Sequence, residues 1–114
     1  MTHVLRAVYE KPGLDPKLIE DVAVGNVLPP GGGASAARMS ALYAGIPNTT
    51  AVNTVNRQCS SGLTAVNQIA MEILTGEIDI GIGEYTSLFS PLLASKQEKR
   101  FISSEISEKL EICA

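Results

Sequence analysis

The 114-residue chain has no tryptophan, one histidine and two cysteines, and aromatic residues make up only 4% of it. The histidine, His3, and the cysteines, Cys59 and Cys113, lie far apart in no metal-ligand spacing, which excludes a structural zinc. His3 reads as a plain surface histidine. An excess of positive charge is also missing. Nine basic against twelve acidic residues give a net charge of -3, and with so few aromatic rings to stack on bases, nucleic-acid binding has nothing to rest on. No apolar run approaches the roughly 18 residues that cross a bilayer. The start Met1-Thr2-His3-Val4-Leu5-Arg6 has neither a charged leader nor an apolar signal core. A soluble intracellular chain with no membrane partner is expected, and with it free thiols rather than a Cys59–Cys113 disulfide.

What is present is the balance of an ordinary globular domain, with 45% apolar and 18% charged residues, in a length that allows one domain. His3 to Lys11, carrying Val4, Leu5, Ala7 and Val8, suits the last turns of a helix stopped by Pro12-Gly13. Asp15-Pro16 offers a cap with proline in the first turn, so a short helical turn is expected around residues 15–20. Val22 to Val27 is a short apolar run of the kind buried on both faces of a sheet. After Pro29-Pro30 and the Gly31-Gly32-Gly33 loop, Ala34 to Tyr43 reads as a helix closed by Gly45, with Ala37, Ala41 and Ala44 forming a small face for close packing. Thr49 to Val55 reads as a second strand, and Ile78 to Ile82 as a third. Between them Leu63, Val66, Ile69, Ala70, Ile73 and Leu74 recur at the helical period up to Gly76. Strand, helix, strand, helix, strand at this spacing predicts an α/β fold built of right-handed crossovers. Beyond Glu84 the pattern weakens to a Ser95-x-x-Glu98 capping box and a thin stripe of Ile102, Ile106, Leu110 and Cys113. The Lys96 to Arg100 run reads as a solvated helix face, with a contact to a CoA phosphate as the alternative.

Cys59 follows a predicted strand and stands at or just before a predicted helix N-terminus. A thiol is nucleophilic only as the thiolate, and a helix N-terminus with unpaired backbone N–H groups favours that form. Small neighbours, Ser60, Ser61 and Gly62, would let a substrate reach the sulfur and leave amides free to face an oxyanion. On these residues alone, a reactive cysteine and a small buried apolar one both remain open. The segment Gly31-x-Gly33-x-x-Ala36 has the outline of a dinucleotide fingerprint. However, Pro29-Pro30 precedes it and no acidic residue ends a strand about twenty positions later, so a nucleotide site is set aside.

The run Asn56-Arg57-Gln58-Cys59-Ser60-Ser61-Gly62-Leu63 resembles the nucleophile motif of the thiolases, in wording closest to the peroxisomal 3-ketoacyl-CoA thiolases. The resemblance continues in register through Gly25-Asn26-Val27-Leu28, the glycine-rich loop, Ala44-Gly45-Ile46-Pro47 and Ile78-Asp79-Ile80-Gly81, covering about residues 14–83, with 84–114 as a divergent tail. It implies that residues 1–114 are a partial thiolase N-terminal domain. Such a domain is a three-layer α/β/α unit with a mainly parallel sheet, whose first strand would precede Met1. The family's sheet runs third, second, fourth, fifth, first. This chain is expected to hold the second, third and fourth strands, leaving the fourth with an open edge. The activity implied is acyltransfer in fatty-acid β-oxidation, with 3-ketoacyl-CoA cleaved by CoA to acetyl-CoA and a shortened acyl-CoA. Cys59 would be the acylated residue and its own backbone N–H an oxyanion donor. Coenzyme A enters as substrate, with no resident cofactor and no metal. A homodimer and a peroxisomal location are implied, with mitochondrial or cytoplasmic sites as alternatives.

The family takes its activating histidine and its second cysteine from a C-terminal domain. Neither His3 nor Cys113 lies in a matching motif, and after Gly83 the family's usual Glu-Ser-Met is replaced by Glu84-Tyr85-Thr86. The isolated chain is therefore expected to be inactive or poorly active. A second reading makes it a non-catalytic truncated thiolase that pairs with a full-length subunit through the strand at residues 49–55. A β-ketoacyl synthase relative and a redox-sensing cysteine rank lower. The wording around Cys59 is that of thiolases, and no resolving thiol lies nearby.

Overall fold

Among the described residues, two crossovers each turn from one strand into a helix that runs back over the sheet to the next parallel strand. The computed structural model describes residues 1–28, 30–85 and 92–95. Helix α1 (Thr2–Glu10) and a single 3-10 turn (Pro16–Leu18) lead into β1 (Asp21–Gly25). Helix α2 (Ala34–Ala44), β2 (Ala51–Val55), α3 (Ser61–Thr75), β3 (Ile80–Tyr85) and β4 (Leu92–Ser95) follow. The sheet order is β2-β1-β3-β4. β1 pairs in parallel with both β2 and β3, so Gly25, Val55 and Tyr85 end their strands side by side, while β4 is antiparallel to β3. The expected α/β class and the expected neighbours of β1 are present.

One expectation is corrected. The edge of β3, expected to be open, is covered by β4, whose Ser95 pairs with Ile80. Against the order third, second, fourth, fifth, first, the strand β4 therefore stands in the fifth place. Ser95, expected to cap a helix, instead ends this strand. Glu98, the Lys96 to Arg100 run and the stripe from Ile102 to Cys113 lie outside the described residues.

The elements form for local reasons. The carboxylate of Asp15 accepts the Lys17 N–H at 3.0 Å, capping the 3-10 turn that Pro16 begins. Gly45 ends α2 and Gly76 ends α3 in the left-handed conformation, so orphan carbonyls of the last turns are met by N–H groups of the chain. Alternation along β1 sends Val22 and Val24 to one face of the sheet and Ala23 to the other. On the first face these valines and Ile82 pack with Leu5, Tyr9, Ile19, Ile46 and the alanine face of α2, namely Ala37, Ala41 and Ala44, all buried. The phenol of Tyr9 donates to the Ala44 carbonyl, joining α1 to the end of α2. On the other face lies α3.

The face of α3 differs from the expected stripe. Ser61, Ala65 and Ile69 are the buried residues, and Leu63 and Leu74 are about three-quarters exposed. The stripe is displaced because the sheet beneath α3 presents glycine. A Cβ at Gly83 would lie 2.8 Å from the Val66 Cα, and one at Gly81 would lie 2.9 Å from the Ile69 side chain. The helix thus lies almost on the backbone of the strands, and small residues suit that approach better than leucine.

Candidate functional site

In a sheet of parallel strands, ligand sites form at the carboxyl ends where successive crossovers leave on opposite faces. Here α2 leaves β1 on the valine face and α3 leaves β2 on the glycine face, so the carboxyl ends of β1 and β2 bound such a position. Cys59 lies just past the end of β2 and two residues before α3, and its thiol is free and exposed. Ser60, the cap residue of α3, makes no side-chain cap bond, so its hydroxyl takes none of the first-turn donors of the helix. The N–H of Cys59 itself makes no intramolecular hydrogen bond among the described residues.

The segment that carries the thiol is tightly folded. The side-chain carbonyl of Asn56 accepts the Gln58 N–H at 3.1 Å, a local turn of the kind asparagine favours. Gln58 then adopts φ +53°, the one non-glycine residue with positive φ among those described. Two further bonds converge from Ser61. Its Oγ accepts the Arg57 N–H at 2.8 Å and donates to the Gln58 carbonyl at 2.6 Å. The Ser61 N–H donates to the same carbonyl at 3.1 Å, and the Ser60 N–H to that of Arg57 at 3.1 Å.

Beneath this turn β1 offers no side chain, because Gly25 ends it. A Cβ at Gly25 would meet the Ser61 carbonyl carbon at 2.6 Å and the Gly62 nitrogen at 2.7 Å, and one at Gly62 would meet the Tyr85 Cβ at 2.7 Å. The first turn of α3 is seated on the backbone of β1 at Gly25 and against the Tyr85 side chain at the end of β3. Ser61, read from sequence as one of three residues leaving space for a substrate, is wholly buried and belongs to the frame of the loop. Asn56 and Gln58, to which the sequence assigned no role, shape the turn. The Asn-x-Gln spacing before the cysteine was the available signal for the first of these. A left-handed glutamine leaves no trace in composition or periodicity.

The glycine-rich loop closes the other side of the β1 terminus. Gly31, Gly32 and Gly33 all have φ near +70°, and Asn26, buried at the end of β1, donates its Nδ2 to the Gly32 carbonyl at 3.0 Å. A Cβ at Gly33 would fall 1.8 Å from that amide nitrogen, so only glycine fits the approach. Farther along, Glu84 turns to the valine face. It is buried, one carboxylate oxygen has no hydrogen-bond partner, and its pKa is pushed up to about 7, chiefly by burial and against a smaller lowering by the Met1 ammonium. Sequence reading passed over it, although Glu84 stands two residues beyond Ile82 and so shares its inward face. No group of three or more His, Cys, Asp or Glu residues that could hold a metal occurs among the described residues. No described helix is long and apolar enough to cross a membrane.

A parallel α/β unit with a cysteine at a helix start, over the carboxyl ends of its strands, is the class of domain defined here. The model of the family "Thiolase, N-terminal domain" matches residues 1–84. The chain belongs to the thiolase family. It is 58% identical over 81 residues to 3-ketoacyl-CoA thiolase 2, peroxisomal, of Arabidopsis thaliana, an alignment covering 70% of this chain and 18% of that protein. Among solved structures, the dimeric peroxisomal thiolase of Saccharomyces cerevisiae superposes with a TM-score of 0.63 at 46% identity, over 72% of this chain and 23% of that one. The Acat5 thiolase of Ascaris suum, in complex with coenzyme A, gives a TM-score of 0.67 at 30% identity, over 72% of this chain and 22% of that one. The chain therefore spans about a fifth of the length of the relatives it matches.

Proposed function

We propose that this chain carries the acyl-accepting half of a 3-ketoacyl-CoA thiolase site, with Cys59 as the nucleophile and residues 1–114 as a partial N-terminal domain. The observation that carries this is the exposed Cys59 thiol at the start of α3, within the residues matched by the thiolase family model. The Cys59 thiolate adds to the C3 carbonyl of a 3-ketoacyl-CoA. The bond between C2 and C3 then breaks, its electron pair leaving on C2, which takes a proton to become acetyl-CoA. The acyl group stays on sulfur until the thiolate of a second CoA attacks the thioester carbonyl, giving the shortened acyl-CoA and freeing Cys59. The Cys59 N–H, with no intramolecular partner among the described residues, is available to the oxyanion of the acyl-transfer step.

Coenzyme A is a substrate in this reading, and the compartment is the peroxisome, on the strength of the relative's description. The groups that move protons to and from the substrate are supplied from outside these 114 residues, so the isolated chain acylates slowly and does not turn over. Incubation with acetyl-CoA followed by peptide mass spectrometry tests the assignment. An acetyl adduct is expected on Cys59 and absent in Cys59→Ser, and equal labelling of Cys59 and Cys113 would overturn it. Steady thiolysis of acetoacetyl-CoA by the purified chain, abolished in Cys59→Ser, would instead overturn the inactivity.

A second reading is favoured by one feature. β2 stands at the edge of the sheet, with β1 as its one strand neighbour among the described residues, and the yeast structure is described as dimeric. An unpaired ladder of this kind adds readily to another strand. A non-catalytic chain pairing through Ala51–Val55 with a full-length thiolase subunit would co-elute with it on size exclusion. A chain that stays separate excludes this reading.

A further inference from the structure

We propose that Ser61 is a positioning residue for the nucleophile loop, a latch that holds Gln58 in the left-handed conformation and thereby fixes where Cys59 stands. The proposal rests on the reading of Cys59 as nucleophile for its purpose, and on geometry for its content. A non-glycine residue at φ +53° is held there at a cost, and such a conformation persists only where the surroundings over-determine it. The surroundings of Gln58 are three hydrogen bonds, and Ser61 makes two of them. Its buried Oγ donates to the Gln58 carbonyl at 2.6 Å and its N–H reaches the same carbonyl at 3.1 Å. The third is the bond from the Gln58 N–H to Asn56. The same hydroxyl accepts the Arg57 N–H at 2.8 Å, so one side chain binds the peptides on both sides of the Arg57–Gln58 junction.

Ser61 can serve as an anchor because it cannot itself move. Its carbonyl carbon lies 2.6 Å from where a Gly25 Cβ would be, and Gly62, next in the chain, abuts the Tyr85 side chain. The position of the helix start is set by β1 and β3, and the hydroxyl transmits that position backwards over three residues to the loop. Cys59, between Gln58 and Ser60, has its backbone direction set by whichever basin Gln58 occupies. Serine meets the requirement where alanine and larger residues do not, because the site is wholly buried and needs one group that both donates and accepts.

The test uses the full chain with Cys113→Ser, leaving one thiol. NMR of this parent is expected to show the Gln58 amide–Hα coupling and Cα shift of a left-handed residue. In Ser61→Ala these are expected to move to those of an ordinary residue, and iodoacetamide alkylation of Cys59 is expected to change by about fivefold or more as the fixed geometry is lost. Adding Gln58→Gly, which adopts positive φ without strain, should return the alkylation rate of the Ser61→Ala variant to within about twofold of the parent. That rescue would not follow if Ser61 acted only through general stability. An unchanged Gln58 signature in Ser61→Ala, or a double variant no closer to the parent than Ser61→Ala, overturns the proposal. Acylation from acetyl-CoA is read separately on the parent chain, so failure of the nucleophile assignment leaves the NMR outcome for Ser61 intact.

Discussion

The two faces of the sheet are filled by opposite means. On the face toward α1 and α2, large side chains occupy volume: Leu5, Ile19, Val22, Val24, Ile46 and Ile82 are all buried. On the face toward α3 the buried cluster is Ala23, Ala65 and Ile69, and Gly25, Gly81 and Gly83 let the helix come down to backbone contact. Volume-filling packing supplies most of the apolar burial, and it tolerates small shifts because side chains repack. Backbone contact supplies less burial but permits little displacement. The face that bears Cys59 is the second kind, so the chain separates the work of stability from the work of placement.

The sharpest way to break this comparison is to damage the volume-filled face alone. Leu5→Ala removes a wholly buried side chain and is expected to cost about 2–5 kcal/mol in urea unfolding. In the population that remains folded, alkylation of Cys59 should stay within about twofold of the parent. A parallel change in both would show that placement is not separate after all.

The next effect lies in a charge on that same face. Glu84 titrates at about 7 in the folded chain against 4.5 as a free carboxyl, because burial penalises the ionised form more than the Met1 ammonium favours it. Between those two values the folded state holds a proton that the unfolded state has lost. Its stabilising contribution is therefore full below about pH 4.5, falls as pH rises, and is gone above about 7, a swing of roughly 3 kcal/mol. Asp21, raised by burial against the Val22 backbone bond and Arg38, contributes in the same direction. Glu84→Gln should match the parent near pH 5, exceed it near pH 8, and flatten most of the slope between. A slope that persists in the variant would remove Glu84 as its source.

How far the sequence reached divides along the same line. Side-chain volume is written in apolar periodicity, so the α2 helix, its Ala37, Ala41 and Ala44 face and the buried valines of β1 were all legible. The strand neighbours and the place of Cys59 before a helix were legible from the spacing and from the thiolase wording of the motif. Backbone contact is written only as glycine, which also marks turns, and nothing in Gly81-x-Gly83 said that a helix would lie on it. The period of α3 accordingly misplaced Leu63 and Leu74, which stay about three-quarters exposed among the described residues. The left-handed Gln58 and the buried Ser61 could not be read, because both depend on where β1 ends relative to α3. The strand β4 was missed because its four residues carry no alternation strong enough to stand out from the weak pattern after Glu84.

A smaller effect on stability, with a larger one on placement, is expected from the glycine face. Gly25→Ala puts a methyl group 2.6 Å from the Ser61 carbonyl carbon, a backbone atom that cannot swing aside as a side chain would. The cost in urea unfolding should be about 1–3 kcal/mol, below that of Leu5→Ala. Alkylation of Cys59 should nevertheless change by more than in Leu5→Ala, because the helix start itself is displaced. Equal alkylation in the two variants would reduce the distinction between the faces to one of burial alone.

The smallest effect sharpens the comparison from outside. If α3 is held by its inner small residues and the glycines below, its outer face should add nothing to the stability of this chain. Leu74 is about three-quarters exposed and Met71 about half exposed on that outer face. Leu74→Gln and Met71→Gln keep straight-chain residues of comparable helix propensity, so the helix itself is not weakened. Each should change the unfolding free energy measured in urea by no more than about 0.5 kcal/mol either way. Ile69→Ala, one turn away on the inner face, leaves a cavity against Gly81 and should cost several times as much. If instead the outer pair carries a cost comparable to Ile69, then α3 is covered on its outer side in solution, and the backbone contact beneath it is not what keeps Cys59 in place.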